Sequence, residues 1–229
     1  NNYRVVNASI RGWSTKQISN FLSEEGYKYK PNYILAVFTE NDLWENQHRT
    51  AIYRGFPFPY PLSFKNKLLA NTFLLARQSH FFRWLYYEMY TNKKVTDFAQ
   101  VNKRMIKAAN NNKYWDNLES NLQAIGNQSN QLNAQLIFIL QPWLKSYQAD
   151  NNYTNSAGVL AINDKIKKLL SQNDIDYIDL TEDIKEAQKQ EQLYFAHSDG
   201  HLNKHGSYVV AQALAQKLTL WLTHKGNED

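Results

Sequence analysis

The chain of 229 residues contains no cysteine. Neither a disulfide framework nor a cysteine nucleophile is therefore available to it. The absence fits a reducing and an oxidising compartment equally well, since thiols and disulfides are what distinguish the two. With 43% hydrophobic and 14% aromatic residues, the chain has enough apolar material for one sizeable core. Residues 1–229 are accordingly predicted to form a single domain.

A long uncharged apolar run is also missing. The most apolar stretch lies between Phe73 and Tyr90, and Arg77, His80 and Glu88 are among the residues that interrupt it. A membrane-spanning helix does not tolerate so many polar groups, so no integral membrane segment is expected. No signal peptide is visible, but the chain opens without methionine. The compartment therefore stays open, with a periplasmic or secreted location slightly favoured.

Charge of one sign is not gathered in a long block. There are 26 Lys and Arg residues against 21 Asp and Glu, giving a net charge of +5 and a pI near 9.1. This mixed pattern predicts weak attraction to anionic surfaces, and none of the usual nucleic-acid motifs is present. We expect no nucleic-acid partner and no cofactor, and the oligomeric state stays undetermined.

Four short runs rich in β-formers stand out. They are Tyr3–Asn7, Tyr33–Phe38, Gln135–Leu140 and Asp176–Leu180. The middle two are nearly continuous apolar runs, which is typical of parallel strands covered on both faces. All four are predicted to be strands of one sheet.

Helical patterns alternate with these runs. Ser14-Thr15-Lys16-Gln17 has the form of a capping box that opens a helix. Apolar residues at helical spacing predict further helices, the last from about Gly206 to Leu222. The residues that carry two of these patterns are Trp115, Leu118, Leu122 and Ile125, then Leu160 or Ile162, Ile166, Leu169 and Leu170. Alternating strands and helices predict an α/β/α sandwich with a parallel sheet, whose functional edge lies at the carboxyl ends of the strands.

Residues 43–112 break this alternation and are interpreted as an insertion after the second predicted strand. They are rich in aromatic residues and include a predicted long helix from about Ser63 to Tyr90. The simplest interpretation of the aromatic residues is core beneath the insertion, and the alternative is the lining of an acyl or glycan pocket. They are Phe73, Phe81, Phe82, Trp84, Tyr86, Tyr87 and Tyr90.

Two polar segments follow predicted strands. Asn7–Ser14 leads from the first strand into the capped helix and contains Gly12, a residue that lets backbone N–H groups approach a ligand closely. Phe38–Leu43 follows the second strand and contains Asn41, whose amide N–H₂ is able to donate to an oxyanion. Taken singly, the first segment is better explained as a plain strand-to-helix turn, and the second is equally well explained as a turn.

The third segment, Tyr194–Gly206, carries the strongest signal. Asp199 and His201 lie two residues apart on a loop before the final helix, which allows a carboxylate to orient an imidazole that acts as a general base. A polar loop that caps the helix is the simpler alternative. His197, His201 and His205 would form a zinc site if they shared one helix face, but Asp199 and Gly200 favour a turn there, so no metal is predicted.

Together, and in this order, the three segments resemble the blocks of the SGNH (GDSL-like) hydrolase family. NASIRGWST resembles the family's NxGxxGxxT block, FTENDL its GxND block, and DGHLNKHGSYVVA its DGHLNxxGH block. The resemblance covers nearly the whole chain and points to a branch with a long insertion after the Asn block. One difference is that Thr39 and Glu40 stand where a glycine is usual.

This resemblance implies a flavodoxin-like α/β/α fold and a set of site residues. The Gly12 N–H and the Asn41 amide would form part of an oxyanion hole, His201 would be the general base, and Asp199 would orient it. The family's nucleophilic serine lies in a Gly-Asp-Ser block, which does not occur here and is expected before Asn1. The strand predicted at Tyr3–Asn7 would then be the family's second strand, and the chain would lack the first.

The function implied is that of a serine esterase or O-acyltransferase acting on an ester-linked acyl group. A glycan O-acetyl group and a lipid ester are the candidate substrates, and neither the acyl length nor the acceptor is determined. The alternative is a non-catalytic module of the same fold that binds a polysaccharide or a protein partner. The missing serine block is the feature on which the choice depends.

Overall fold

A computed structural model describes most of the chain. The described residues are 4–10, 12–46, 50–53, 56–59, 61, 63–82, 84–85, 98–142, 157–195 and 201–225. The helices are α1 (Thr15–Glu24), α2 (Asp42–Glu45), α3 (Phe64–Arg77), α4 (Phe98–Ala109), α5 (Asn112–Gln131), α6 (Ala157–Gln172), α7 (Thr181–Gln190) and α8 (Lys204–Lys225). The strands are β1 (Tyr33–Phe38), β2 (Thr50–Tyr53), β3 (Phe56–Pro59), β4 (Gln135–Leu140) and β5 (Asp176–Asp179).

The centre of the molecule is a parallel sheet in the order β1-β4-β5. The predictions for these three strands are confirmed, to within one residue at the end of β5. Helices lie on both faces of the sheet, so the predicted three-layer α/β/α architecture is confirmed as well. Because all three strands are parallel, their carboxyl ends lie at one edge, where loops gather.

The first face of the sheet is covered by α1, α4, α5 and α6. The predicted stripe from Trp115 to Ile125 is buried on α5, and the stripe from Ile162 to Leu170 is buried on α6. These side chains meet Ile34 and Phe38 of β1 in one cluster. Periodicity therefore identified the inward faces of both helices correctly, because a continuous apolar stripe must be buried.

The second face is covered by α7 and α8. Ile137 and Ile139 of β4 join Ile178 of β5 in a second buried cluster against these helices. The final helix begins at Lys204, two residues before the predicted start, and ends at Lys225. β4 is thus covered on both faces, as its apolar run predicted.

β1 differs from that prediction. Only alternate side chains of β1 are buried, and Leu35 and Val37 are 43% and 46% exposed on the second face. On this side, Trp221 of α8 approaches Tyr33 edge-on, with ring centroids 6.2 Å apart. The prediction that both faces of β1 are buried is therefore wrong, because no described helix extends over the second face at Leu35 and Val37.

The strand predicted at Tyr3–Asn7 is also not confirmed. Arg4–Asn7 has no regular structure, Val5 is 86% exposed, and Tyr3 lies outside the described residues. Strand propensity alone does not form a strand, because the backbone needs a neighbour with which to exchange hydrogen bonds. None of the described strands pairs with this segment.

The predicted insertion contains two elements that the sequence did not indicate, namely the antiparallel hairpin of β2 and β3 and the separate helix α4. The single helix predicted over Ser63–Tyr90 is wrong, because α3 ends at Arg77 and helix resumes only at His80. Ser79 accepts a hydrogen bond from Phe82 N–H at 3.5 Å and so caps the new start. The insertion boundaries at 43 and 112 stay a prediction.

The expectation that the aromatic residues of this region form core is wrong where the structure describes their side chains. Phe81, Phe82 and Trp84 are 61%, 52% and 57% exposed. Their rings contact one another, with centroids 5.7 Å apart for the phenylalanine pair and 6.1 Å for Phe81 and Trp84. The remaining four side chains lie outside the described set.

Candidate active site

Gly12 lies in a tight turn just before α1. Trp13 N–H donates to Ile10 O at 3.2 Å, and Gly12 has a φ of +80°. That value belongs to the left-handed region, which side chains disfavour, so glycine is required there by conformation. A Cβ at this position would meet nothing within 4 Å, which leaves the space beside the exposed turn open.

The helix after this turn begins with the predicted capping box. The backbone N–H of Ser14 donates to Gln17 Oε1 at 3.0 Å, and its hydroxyl donates to the same atom at 2.6 Å. Ser14 is 2% exposed. This serine is therefore occupied as a cap and is not presented to a substrate.

Asn41 follows β1 directly and precedes the short helix α2. Its Oδ1 accepts a hydrogen bond of 2.5 Å from the Thr39 hydroxyl. The bond sets the orientation of the amide, because the oxygen is engaged and the N–H₂ points away from it. Among the described residues, no hydrogen bond uses that nitrogen, so the amide is available as a donor.

Asn46 joins the Asn41 segment to the Gly12 segment. Its Oδ1 accepts from the Thr15 hydroxyl at 2.9 Å and from Lys16 N–H at 3.1 Å, at the first turn of α1. Asn46 and Thr15 are 5% and 0% exposed. The two segments thus share a buried connection, which sequence reasoning missed because no motif includes Asn46.

A buried carboxyl group lies beneath Asn41. Asp42 is 5% exposed, and its Oδ2 accepts from Thr39 N–H at 3.0 Å. Burial raises the pKa of the Asp42 carboxyl well above its ordinary value, the Thr39 hydrogen bond opposes the rise, and the nearby Glu45 and Glu40 add to it.

His201 lies in the loop before α8, and a short antiparallel contact shapes this loop. Leu202 bridges to Tyr194, and Phe195 N–H donates to His201 O at 3.1 Å. The Tyr194 hydroxyl is buried and donates to Pro142 O at 2.9 Å, just after β4 ends. This bond attaches the loop of His201 to the carboxyl edge of the sheet.

The start of α8 is held against the same loop. Asn203 caps the helix by accepting from Gly206 N–H at 2.7 Å, and its own N–H donates to Leu193 O at 2.9 Å. A Cβ on Gly206 would approach Leu193 O to 2.0 Å, so glycine is required there by crowding. The Asn-x-x-Gly part of the third segment therefore has a structural role beside any chemical one.

The other residues predicted on this loop have different outcomes. Asp199 lies outside the described residues, so its pairing with His201 stays a prediction. His201 precedes the first residue of α8, whereas His205 lies on the helix with Nε2 3.3 Å from Glu191 Oε2. Within the described ranges, no cluster of three metal-ligating side chains occurs. None of the described helices is long and apolar enough to cross a membrane.

The three predicted segments converge on one edge of the sheet. Asn41 follows the carboxyl end of β1, the Gly12 segment is tied to it through Asn46, and the His201 loop is tied to the carboxyl end of β4. β1 and β4 are neighbours. A parallel sheet in a three-layer α/β/α fold, with these polar segments attached at its carboxyl edge, is consistent with an SGNH hydrolase-like domain.

Comparison with known families agrees with this class. The model of a family described as the SGNH hydrolase-like domain of the acetyltransferase AlgX matches residues 83–228. The chain therefore belongs to this SGNH hydrolase-like family. The matched part includes His201 and α8, whereas Gly12 and Asn41 precede it. Searches of curated proteins and of solved structures found no match.

Proposed function

We propose that the protein hydrolyses or transfers an ester-linked acyl group by serine catalysis. The observation that carries the proposal is the hydrogen bond from the Thr39 hydroxyl to Asn41 Oδ1, which leaves the amide N–H₂ to donate at the carboxyl edge of the sheet. In the proposal, the Asn41 amide and the Gly12 N–H stabilise the oxyanion, His201 is the general base, and Asp199 orients His201.

The reaction proceeds through two tetrahedral intermediates. The serine oxygen attacks the ester carbonyl carbon while His201 takes the serine proton, and the carbonyl oxygen becomes the oxyanion. The C–O bond to the alcohol then breaks, and His201 returns the proton to the leaving alcohol. Water or an acceptor hydroxyl attacks the acyl-enzyme in the same way, giving hydrolysis or transfer. The oxyanion donors act in both halves.

The nucleophile is proposed to come from a segment of the full-length protein that precedes Asn1. Two observations on β1 support this location. Its free edge is paired with no other described strand, and Leu35 and Val37 are exposed on the face beside buried Ile137 and Ile139. A further parallel strand beside β1 would form hydrogen bonds with the backbone N–H and C=O groups of its free edge. The turn after that strand would then lie next to Asn41.

The substrate proposed first is an acetyl ester on a glycan. The matching family is described by an acetyltransferase, which supports a short acyl group. A lipid ester is the second candidate, since the sequence does not determine the acyl length.

A non-catalytic module that binds a polysaccharide or a protein partner is the alternative function. One observation favours it, namely that Ser14, the serine closest to Gly12 in sequence, is buried and occupied as a helix cap. In the proposal catalysis therefore depends on another serine, placed before Asn1, and the alternative holds if the full-length protein has no activated serine.

The test is intact-mass spectrometry of the full-length protein before and after treatment with a fluorophosphonate, which phosphonylates only activated serines. We expect one adduct on the wild-type protein, on a serine that peptide mapping places before Asn1. His201→Ala should abolish the adduct and reduce ester turnover by several orders of magnitude, since the serine loses its base. His205→Ala, four residues away on α8, is the matched control and should label normally.

Two outcomes contradict the proposal. A wild-type protein that is folded but takes no adduct supports the binding module. Labelling or turnover of His201→Ala within about tenfold of wild type removes His201 from the mechanism.

A further inference from the structure

The part of the chain between Glu45 and Glu88 contains no acidic residue. All 21 Asp and Glu residues, and 20 of the 26 Lys and Arg residues, lie outside residues 46–87. The other six basic residues lie inside this segment, so they account for the net positive charge of the whole chain. They are Arg49, Arg54, Lys65, Lys67, Arg77 and Arg83. We call residues 46–87 the acid-free segment.

Helix α3 of the acid-free segment exposes large apolar side chains. Phe64, Leu68 and Leu69 are 81%, 56% and 46% exposed, while Ala70 is fully buried. At about 100° per residue, Phe64 and Leu68 lie about 40° apart, and Ala70 lies on the opposite side of the helix. One side of α3 is therefore packed on the protein, and the outward side carries an apolar stripe.

Two exposed lysines flank this stripe. By the same geometry, Lys67 lies about 60° to one side of Phe64, and Lys65 lies about 60° beyond Leu68 on the other, with exposed Leu69 about 40° further round the helix. An apolar centre with a cation on each flank is typical of helices that lie in the headgroup region of a bilayer. The apolar side chains enter the acyl boundary while the lysine ammonium groups reach outward to lipid phosphates.

We propose that the outward face of α3, centred on Phe64 and Leu68, docks on the surface of a bilayer that contains anionic lipids. The exposed cluster of Phe81, Phe82 and Trp84 in the same segment supports the assignment, because aromatic rings partition to the membrane interface. The docking is peripheral and concerns placement of the protein at a membrane, so it does not depend on the proposed catalytic function.

Other occupants fit the surface less well. A soluble polyanion would neutralise Lys65 and Lys67 but would leave Phe64 and Leu68 in water. A second copy of the chain, docked through the same face, would place two acid-free segments with like charge against each other. An anionic bilayer satisfies the apolar stripe and the two lysines together.

The experiment is flotation of the full-length protein with lipid vesicles. One set consists of phosphatidylcholine alone and the other also contains about one third phosphatidylglycerol, a composition with a strongly negative surface. We expect binding to the anionic vesicles, at least tenfold weaker binding to the neutral ones, and release from the anionic vesicles by high salt.

Matched variants assign the binding to α3. The double variant Lys65→Gln, Lys67→Gln should bind anionic vesicles about twentyfold more weakly, from about fivefold per lysine. Its control is Lys113→Gln, Lys168→Gln, which removes two exposed lysines from α5 and α6 and should bind within about twofold of wild type. Leu68→Ser should weaken binding about tenfold or more, whereas Leu220→Ser on α8, also 56% exposed, should not.

The proposal is overturned by any of three results. The first is that the protein does not float with anionic vesicles. The second is that the α3 variants and their controls bind these vesicles equally. The third is that a soluble polyanion displaces the protein from the vesicles, and that its affinity for the protein is the same in wild type and in Leu68→Ser. Thermal unfolding of each variant by circular dichroism confirms that a loss of binding is not a loss of folding.

Discussion

On the face of the sheet that α8 covers, β1 and β4 present apolar side chains in matching register and with opposite exposure. Leu35 pairs with Ile137, and Val37 pairs with Ile139. Ile137 and Ile139 are 0% and 1% exposed, whereas Leu35 and Val37 are nearly half exposed. The comparison shows that the same apolar pattern is buried on β4 and nearly half exposed on β1.

The carboxyl ends of β1 and β5 show the same contrast in charge. Asp179, at the end of β5, receives Lys167 Nζ at 2.5 Å and Thr181 N–H at 2.9 Å. Asp42, after β1, has the carboxylates of Glu40 and Glu45 nearby, and its pKa is raised. The carboxyl group at the β5 end thus has a cationic partner, whereas the Asp42 carboxyl after β1 is buried close to two further acidic residues.

The largest effect should come from removing apolar side chains on the two sides of the sheet. Ile178→Ala, in the β5 cluster, should lower the free energy of unfolding by about 2–5 kcal/mol. Leu35→Ala in the full-length protein should cost about as much if a further segment covers β1. Chemical denaturation measures both, and a Leu35→Ala cost below about 0.5 kcal/mol would show that the β1 face stays in water.

Asn41→Ala separates catalysis from stability. Loss of one oxyanion donor should reduce kcat by about 10²–10³-fold with little change in KM, because the donor acts in the transition state. Asp179→Asn, at the β5 end, should leave kcat unchanged. Steady-state ester turnover measures kcat for both variants. Equal kcat values would show that Asn41 does not act in the site.

A smaller effect is expected from Thr39, which orients the Asn41 amide. Thr39→Val keeps the shape and removes the hydroxyl, so kcat should fall by about tenfold, the worth of one hydrogen bond. Thr39→Ser retains the hydroxyl and should restore most of the rate, which a role in packing would not predict. If valine and serine behave alike, the amide is held by other contacts.

The smallest effect concerns pH. Asp42 has a raised pKa in the folded protein, so its contribution to stability is fully present at pH values below the ordinary 3.8 and is lost as pH rises from there through the folded pKa. Asp42→Asn, which keeps an acceptor for Thr39 N–H, should therefore be more stable than wild type at neutral pH. The advantage should vanish in acid, and urea denaturation across the pH range measures it.

Asp179→Asn should show the opposite sign. Burial tends to raise the pKa of Asp179, but hydrogen bonds from Lys167 and Thr181 outweigh it and lower the pKa. Its contribution to stability is therefore present above 3.8 and is lost as pH falls through its folded value. The variant should lose about 1 kcal/mol at neutral pH, a value reduced by partial solvent exposure. If the free energies of unfolding of Asp42→Asn and Asp179→Asn depend on pH in the same way, the two carboxyl groups do not differ as described.

Much of the fold was predictable from local pattern. The apolar runs identified β1, β4 and β5, and helical spacing identified α5, α6 and α8, because each element must bury its own apolar side chains. The interruption at Gln78 and the failure of a strand to form at Arg4–Asn7 were not predictable. The first depends on a serine cap that competes with a continuous helix, and the second on whether a neighbouring strand is present.

The site was predictable in part. Gly12, Asn41 and His201 were identified from motifs and the strand ends they follow, and their roles stay predictions until the tests above. Thr39 as an orienting group, Asn46 as the connection to α1, and Tyr194 as the anchor on Pro142 were missed. Each acts through a partner distant in sequence or through a hydrogen bond that no motif specifies.

By itself, the sequence determined the order of β1, β4 and β5 and of α5, α6 and α8, the capped start of α1 and the glycine turn before it, because these depend on propensity, apolar spacing and hydrogen bonds between near neighbours. It also determined the family to which the chain belongs. Only the tertiary structure decided that β4 is covered on both faces and β1 on one, and that the three polar segments meet at one edge. The burial of each strand face and the positions of the polar segments depend on where α8 and the crossover connections lie in space. The two strand sequences are equally apolar, so they do not specify those positions.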